Sequence, residues 1–317
     1  MRSVLRAGSA RLVAVGTLAV MLLTGSCSGS GLNQAGTAVI VGDTRIPVDQ
    51  VQDQLDMVLT KEGEQTRAQL VAGRQLDDLS RQIVTLLTRH ELIEAAAQRA
   101  RISVSPEEVS RLLYELGGPD EASKGTIWDT EGFRQQAQDR LLMVELGRQS
   151  LDTAVTFDYT TTATRTAAIK RAKELAAAGP AEARELISAD VDAGRDAAVS
   201  KRVVAGDDPI FAASPAFGVA QDSVVAFQLK DTQPWLIMVI KDRADGVQPS
   251  EGAPDPDQID PAVLEAIGLR QVAQLAENLK VQLNPRYGVW DAVNMAAVRD
   301  ENETGGFVAP LATVPRV

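Results

Sequence analysis

Two apolar runs lie nearly back to back in this chain, "SVVAFQL" at 223–229 and "TQPWLIMVIKDR" at 232–243. Rich in Val, Ile, Phe and Trp and split by a short polar break, they read as two strands of a buried hairpin. The chain on both sides reads mostly as polar, Ala-rich helix. Upstream, Val155, Phe157 and Tyr159 alternate with polar residues in "TAVTFDYTTTA", as a half-buried strand would. Two helices follow, at about 165–178 and 181–193, split by Gly179-Pro180. The hairpin therefore belongs to a small α+β block, 154–243, with strands at both ends closing one sheet.

The segment before this block is helical. "TAVIVGDTRIPVDQVQDQL" opens with a short strand, a turn at Gly42-Asp43 and a return, then a helix carrying Val48, Val51 and Leu55. A second helix covers about 76–99, with Ile83, Leu86, Leu87 and His90 on one face. "SPEE" predicts a third, with Ser105 as N-cap, Pro106 in the first turn and Glu108 closing a capping box. A fourth runs from about 131 to 152, with Phe133, Ala137, Leu141 and Val144 inward. After a Pro-rich polar linker, Asp260-Pro261 starts a last helix with Leu264, Ile267, Val272, Leu275 and Leu279 on one face. That face needs a partner, and the N-terminal helices offer the nearest apolar surface. The tail from Gly305 reads as disordered.

The first 26 residues hold Arg2, Arg6 and Arg11 and no acid, then an apolar core at 12–23. At ~1.5 Å per residue that core is too short to cross a ~30 Å hydrocarbon slab, so it reads as a signal peptide. "LLTGSC" then places small residues before the one cysteine, Cys27, and "SGSG" follows. The pattern resembles a bacterial lipoprotein lipobox, with Thr24 departing from the usual leucine. The resemblance implies that Cys27 becomes the lipidated first residue of the mature chain, anchored to the membrane on its extracytoplasmic side. Residues 28–37 would be a flexible tether.

The formal net charge is −11, and it becomes more negative without the leader. An acidic chain repels phosphate backbones, so a nucleic-acid partner is not expected. One cysteine excludes an intramolecular disulfide and a multi-thiolate metal site. His90 is the single histidine, and "HELIE" places Glu94 where a zinc motif needs a second histidine. His90 is therefore read as a satisfied core residue. No phosphate-binding glycine loop occurs, and the acidic pairs at 207–208 and 255–257 read as solvated turns. No cofactor, no metal and no catalytic residue is expected. Met57, Phe133, Leu141, Met143 and Val144 sit at helical spacings, as core or as partly exposed client-binding surface.

Three segments together resemble the SurA and PrsA families of extracytoplasmic chaperone-foldases. "AVIVGDTRIPVDQVQDQL" is similar to the opening strand, turn and helix of a SurA N-terminal domain, and "LLTRHELIEAAAQRARISVSPEEV" to the helices that follow there. Residues 154–243 resemble a parvulin prolyl-isomerase domain: strand, two helices, a Phe-bearing segment, then a hairpin ending "VIKDR". The implied fold is mainly α with a small α+β domain: a helical SurA N-terminal-type domain completed by the C-terminal helix, plus an inserted parvulin-like domain. The expected boundaries are 1–26 leader, 27–37 lipidated Cys27 and tether, 38–153 helical domain, 154–243 parvulin-like domain, 244–259 linker, 260–288 last helix and 289–317 tail.

Active parvulins carry two inward-facing histidines, one on the first strand and one on the last in a pattern like G-[YW]-H-I-I. Here Leu236 stands in the last-strand position, after Trp235, and the first-strand position falls near Asp158 or Tyr159. "AAVSKRVVAGDD" replaces the family's Gly-Gly-Asp-Leu-Gly loop, while Phe211 and Phe217 match its apolar pocket positions. The resemblance thus implies a vestigial pocket of Tyr159, Phe211, Phe217, Trp235 and Leu236. It implies an ATP-independent chaperone for unfolded or exported polypeptides, held in an apolar cradle between the two domains, without isomerase activity. An active isomerase using Asp158 and Tyr159, and an accessory scaffold lipoprotein for one envelope partner, are the alternatives.

Overall fold

The computed structural model describes residues 36–313, residue 74 excepted. The leader, Cys27 and residues 28–35 of the tether lie outside the described residues. Strands β1 (Thr37–Val41) and β2 (Thr44–Pro47) form an antiparallel hairpin, turned at Gly42 with φ +57. Helix α1 (Val48–Ala72) is interrupted at Gly63, whose φ of 81 no helix accommodates. α2 (Leu76–Ala100) buries Ile83, Val84, Leu92 and Ile93. α3 (Pro106–Glu115) starts with the full capping box: the Ser105 hydroxyl accepts from Glu108 N–H, and Ser105 N–H donates to Glu108 at 2.8 Å. Replacing Ser105 by alanine removes one half of that exchange. A loss of about 1 kcal/mol in a urea unfolding curve is the expected result.

α4 (Pro119–Ala122) is a single turn, and α5 (Thr130–Gln149) follows the Asp129 N-cap. Then come β3 (Ala154–Thr162), α6 (Arg165–Ala178), α7 (Pro180–Asp192), β4 (Ala197–Val204), α8 (Pro209–Ala212), β5 (Ser223–Phe227) and β6 (Trp235–Ala244). The last stretch holds α9 (Pro261–Leu279), β7 (Gln282–Leu283), β8 (Val289–Asp291), β9 (Ala296–Val298) and β10 (Gly306–Pro310). β7 extends the first hairpin into a sheet ordered β2-β1-β7. The larger sheet is antiparallel throughout, ordered β10-β5-β6-β3-β4. The protein is mainly helical, with this sheet as its α+β part.

Three readings of the sequence change. β3 is buried on both faces rather than one: Val155 and Phe157 pack on one side, while Asp158 on the other is 0% exposed. The reason is that α6 and α7 cover one face of the sheet, and the 209–219 segment with α9 covers the other. Residues 197–204 form a paired strand, β4, where the resemblance implies a replaced loop. Residues 306–311 of the tail are placed in the fold as well. Gly306–Pro310 pairs with β5, and Leu311 is buried against α6.

α9 joins the two cores. Its Leu264 and Ile267 enter the core under the sheet, and Val272, Ala273 and Ala276 enter the helical core with Ile83, Leu92 and Leu146. Two half-buried arginines tie the C-terminal loop down. Arg89 donates to the carbonyls of Met295 and Asn294, each at 2.8 Å. Arg270 donates to Ala213 O at 2.7 Å and Val293 O at 2.8 Å. Burial, with Arg89 nearby, pushes the Arg270 guanidinium down to about 10. Among the described residues, no helix is long and apolar enough to cross a membrane.

Candidate functional site

The face of the sheet away from α6 and α7 carries a depression of about 290 Å³. Its floor is apolar: Phe157 from β3, Val203 from β4, Leu236 and Met238 from β6, and Phe211 from α8. Strand register explains the grouping. Tyr159 pairs with Met238 and Thr161 with Leu236, so side chains of one pleat phase rise together. The rings form a chain. Phe157 lies 6.3 Å from Tyr159 and 5.7 Å from Phe211, and Phe211 meets Phe217 edge-on at 6.0 Å.

The rim is polar. Tyr159 donates its hydroxyl to Asp196 Oδ1 at 3.2 Å. Burial, then the Asp196 carboxylate, raises the phenol above its ordinary pKa. Asp208 caps α8, accepting from Phe211 N–H at 2.9 Å. The residues lining this depression include no imidazole, thiol or amine.

The structure brings Tyr159, Phe211 and Leu236 into this pocket. Phe217 is 1% exposed and lies beneath Phe211 rather than at the surface. Trp235 is on the opposite face, packed with Ala168, Ala172 and Leu175, because adjacent residues of a strand point to opposite sides. Asp158 shares that fate. It accepts from Ser200 N–H at a β3–β4 register shift, where Ser200 has φ 54, and Lys241 Nζ lies 3.5 Å away. It plugs an irregular ladder and cannot reach a ligand in the pocket. Phe157 and Met238 were findable as pleat partners of Tyr159, and Asp208 as the N-cap of "DPIF". Asp196 carries no local signal, since only the α7–β4 connection brings it to Tyr159.

The junction between the helical and α+β blocks is a different surface. The cleft there, about 480 Å³, is lined largely by polar residues such as Arg99, Gln149, Asp152, Gln271 and Gln274. Its lining is thus not the apolar one expected at that place.

Residues 1–117 match the family model of the SurA-like N-terminal domain. That similarity reaches through α3 and stops short of α5. Among solved structures, the chain pairs with the crystal structure of the foldase protein PrsA from Lactococcus lactis at 10% identity, covering 79% of this chain and 96% of that one, with a TM-score of 0.28. A score that low transfers nothing from one chain to the other. No curated protein matches. The helical block has a groove of its own, about 280 Å³, between α2, α3, α5 and α9, where Leu86, Leu112, Leu116, Phe133 and Met143 line it together with charged groups such as Asp139 and Glu265. Leu116 is 42% exposed there, and neighbouring Tyr114 is 83% exposed. Phe133, Leu141, Met143 and Val144 are half-buried against core clusters, and Met57 is half-buried as well.

Proposed function

We propose that this protein is an extracytoplasmic chaperone, lipid-anchored through Cys27, that holds unfolded or exported polypeptides without ATP and without isomerising prolyl bonds. The observation that carries this reading is an aromatic, imidazole-free pocket on a chain with a SurA-like domain. The sheet order β5-β6-β3-β4, with two helices between β3 and β4, supports a parvulin-like layout for the α+β block. The matching pocket offers hydrocarbon where that chemistry uses histidine, so it binds an apolar side chain and gives no imidazole network. The pocket and the groove between α2, α3 and α5 are the two contact sites for apolar side chains.

The test is aggregation of an unfolded client with the chain from Ser28 onward. Suppression at a few-fold molar excess is expected, and Phe211→Ala, which removes the pocket's central ring, weakens binding of an apolar peptide by roughly fivefold to tenfold. No suppression at that excess would end the holdase reading. A second reading, an active isomerase, rests on the Tyr159–Asp196 pair in the pocket. Acceleration of a proline-limited refolding phase that disappears in both Tyr159→Phe and Asp196→Asn would favour it over the holdase.

A further inference from the structure

The helical domain brings together three donor groups that the sequence scatters. His90 and Glu94 stand one turn apart on α2, and Asp139 comes from α5, 49 residues beyond His90. One ligand atom from each lies within 4.8 Å of the others. "HELIE" lacks the second histidine of a helical zinc motif, and packing of α5 on α2 supplies a carboxylate in its stead.

We propose that His90, Glu94 and Asp139 bind a divalent transition-metal ion, zinc by preference. Asp139 is 3% exposed, an unusual place for a carboxylate. His90 Nδ1 is 2.9 and 3.1 Å from its two oxygens, and the Gln136 amide is at 3.4 Å. Glu94 is half-buried beside it, with Gln138 Nε2 at 3.3 Å as its hydrogen-bond donor. Two carboxylates with a neutral imidazole balance the charge of a dication, and a dication between them offsets the desolvation of both. His90 Nε2 lies 2.6 Å from the Gln135 amide, which holds the ring with Nδ1 toward Asp139.

The donor set selects the metal class. Imidazole with carboxylate suits zinc, whereas calcium takes six to eight oxygens. Nearby cations are turned elsewhere: Arg89 to the carbonyls of Met295 and Asn294, and Arg140 to Glu265 at 3.1 Å. His90 and Glu94 are both part-exposed, so water completes the coordination. Three protein donors and water make an open site. Bound metal crosslinks α2 to α5 and stiffens the helical domain next to its apolar groove.

The experiment is calorimetric titration of Zn²⁺ into the chelator-treated full chain in detergent, at a pH of about 8, above the ordinary imidazole range. Saturable binding of one zinc per chain and a raised melting temperature are expected. His90→Gln and Glu94→Gln each weaken binding by roughly tenfold or more. Glu94→Gln keeps an acceptor for Gln138 and retains the metal-free melting temperature, so a loss of binding there is not a loss of fold. Zinc-edge X-ray absorption shows nitrogen and oxygen neighbours only. The proposal is overturned by absence of saturable binding, by binding that His90→Gln leaves unchanged, by a sulfur neighbour (which assigns the zinc to Cys27), or by tighter binding of Ca²⁺ than of Zn²⁺.

Discussion

Alanine at Gly147 or at Gly268 is expected to cost about 3 kcal/mol or more of folding stability. The two glycines face each other where α5 crosses α9. A Cβ on Gly147 would stand 1.9 Å from Leu264 O, and one on Gly268 would stand 1.9 Å from Met143 O. These are backbone atoms, so no rotamer change relieves the clash; the helices must separate. Separation opens both cores at once, because α9 gives Leu264 and Ile267 to one and Val272 and Ala273 to the other. Overpacking against movable side chains already costs about 1–3 kcal/mol. Each glycine weakens its own helix by roughly 0.5–1 kcal/mol relative to alanine, so replacement would help if the crossing were loose. Urea unfolding decides the sign. Gly252→Ala is the control, since nothing lies within 4 Å of its added Cβ. Its shift should stay within about 0.5 kcal/mol. If Gly147→Ala moves the midpoint no further than Gly252→Ala does, the close crossing is wrong.

How much of this was readable in the sequence depends on the range of each interaction. The Ser105 capping box is written within four residues, and the structure contains it. The α9 stripe has Leu264, Ile267 and Val272 fully buried and Leu275 and Leu279 half-buried, as the period of a helix dictates. Leu236 in the pocket follows from strand alternation, and the same alternation should have sent Trp235 and Asp158 to the other face. What stayed hidden depends on partners far away in sequence. Asp139 meets His90 across two helices, and Asp196 meets Tyr159 across a sheet connection. β4 reads "AAVSKRVV", small and charged residues without clear alternation, because it is an edge strand with one side in solvent. The close approach of α5 and α9 leaves only two glycines among many as its mark.

Removal of residues 305–317 is expected to lower stability by about 4 kcal/mol and to make the protein self-associate. β10 lies in the part of the chain that reads most like a loose end, yet it pairs along its whole length, from Gly306 opposite Phe227 to Pro310 opposite Ser223. Leu311 is 6% exposed within the core that holds Ala168 and Leu175, and Phe307 packs against the same core. Burial of one leucine contributes roughly 1.5–3 kcal/mol, and each hydrogen bond of the ladder adds roughly 0.5–1.5 kcal/mol net. The tail is also held from outside the ladder. Arg165 donates to Glu301 O and Thr304 O, each at 3.0 Å, and Leu311 N–H donates to Asp222 O at 2.7 Å. Without β10, the fully buried strand Ser223–Phe227 becomes a flat apolar edge, the kind that pairs with a second chain. Light scattering on a sizing column should show dimers or larger species for the truncated chain, and urea unfolding the loss of stability. Gly306→Val is a point-mutant version of the same test, because its Cβ would lie 1.8 Å from Ala226 O and would push the strand off the sheet. A synthetic peptide spanning 303–313, added to the truncated protein, should restore the monomer by refilling the edge. A truncated chain that stays monomeric with an unchanged midpoint would mean that the sheet ends at β5 in solution.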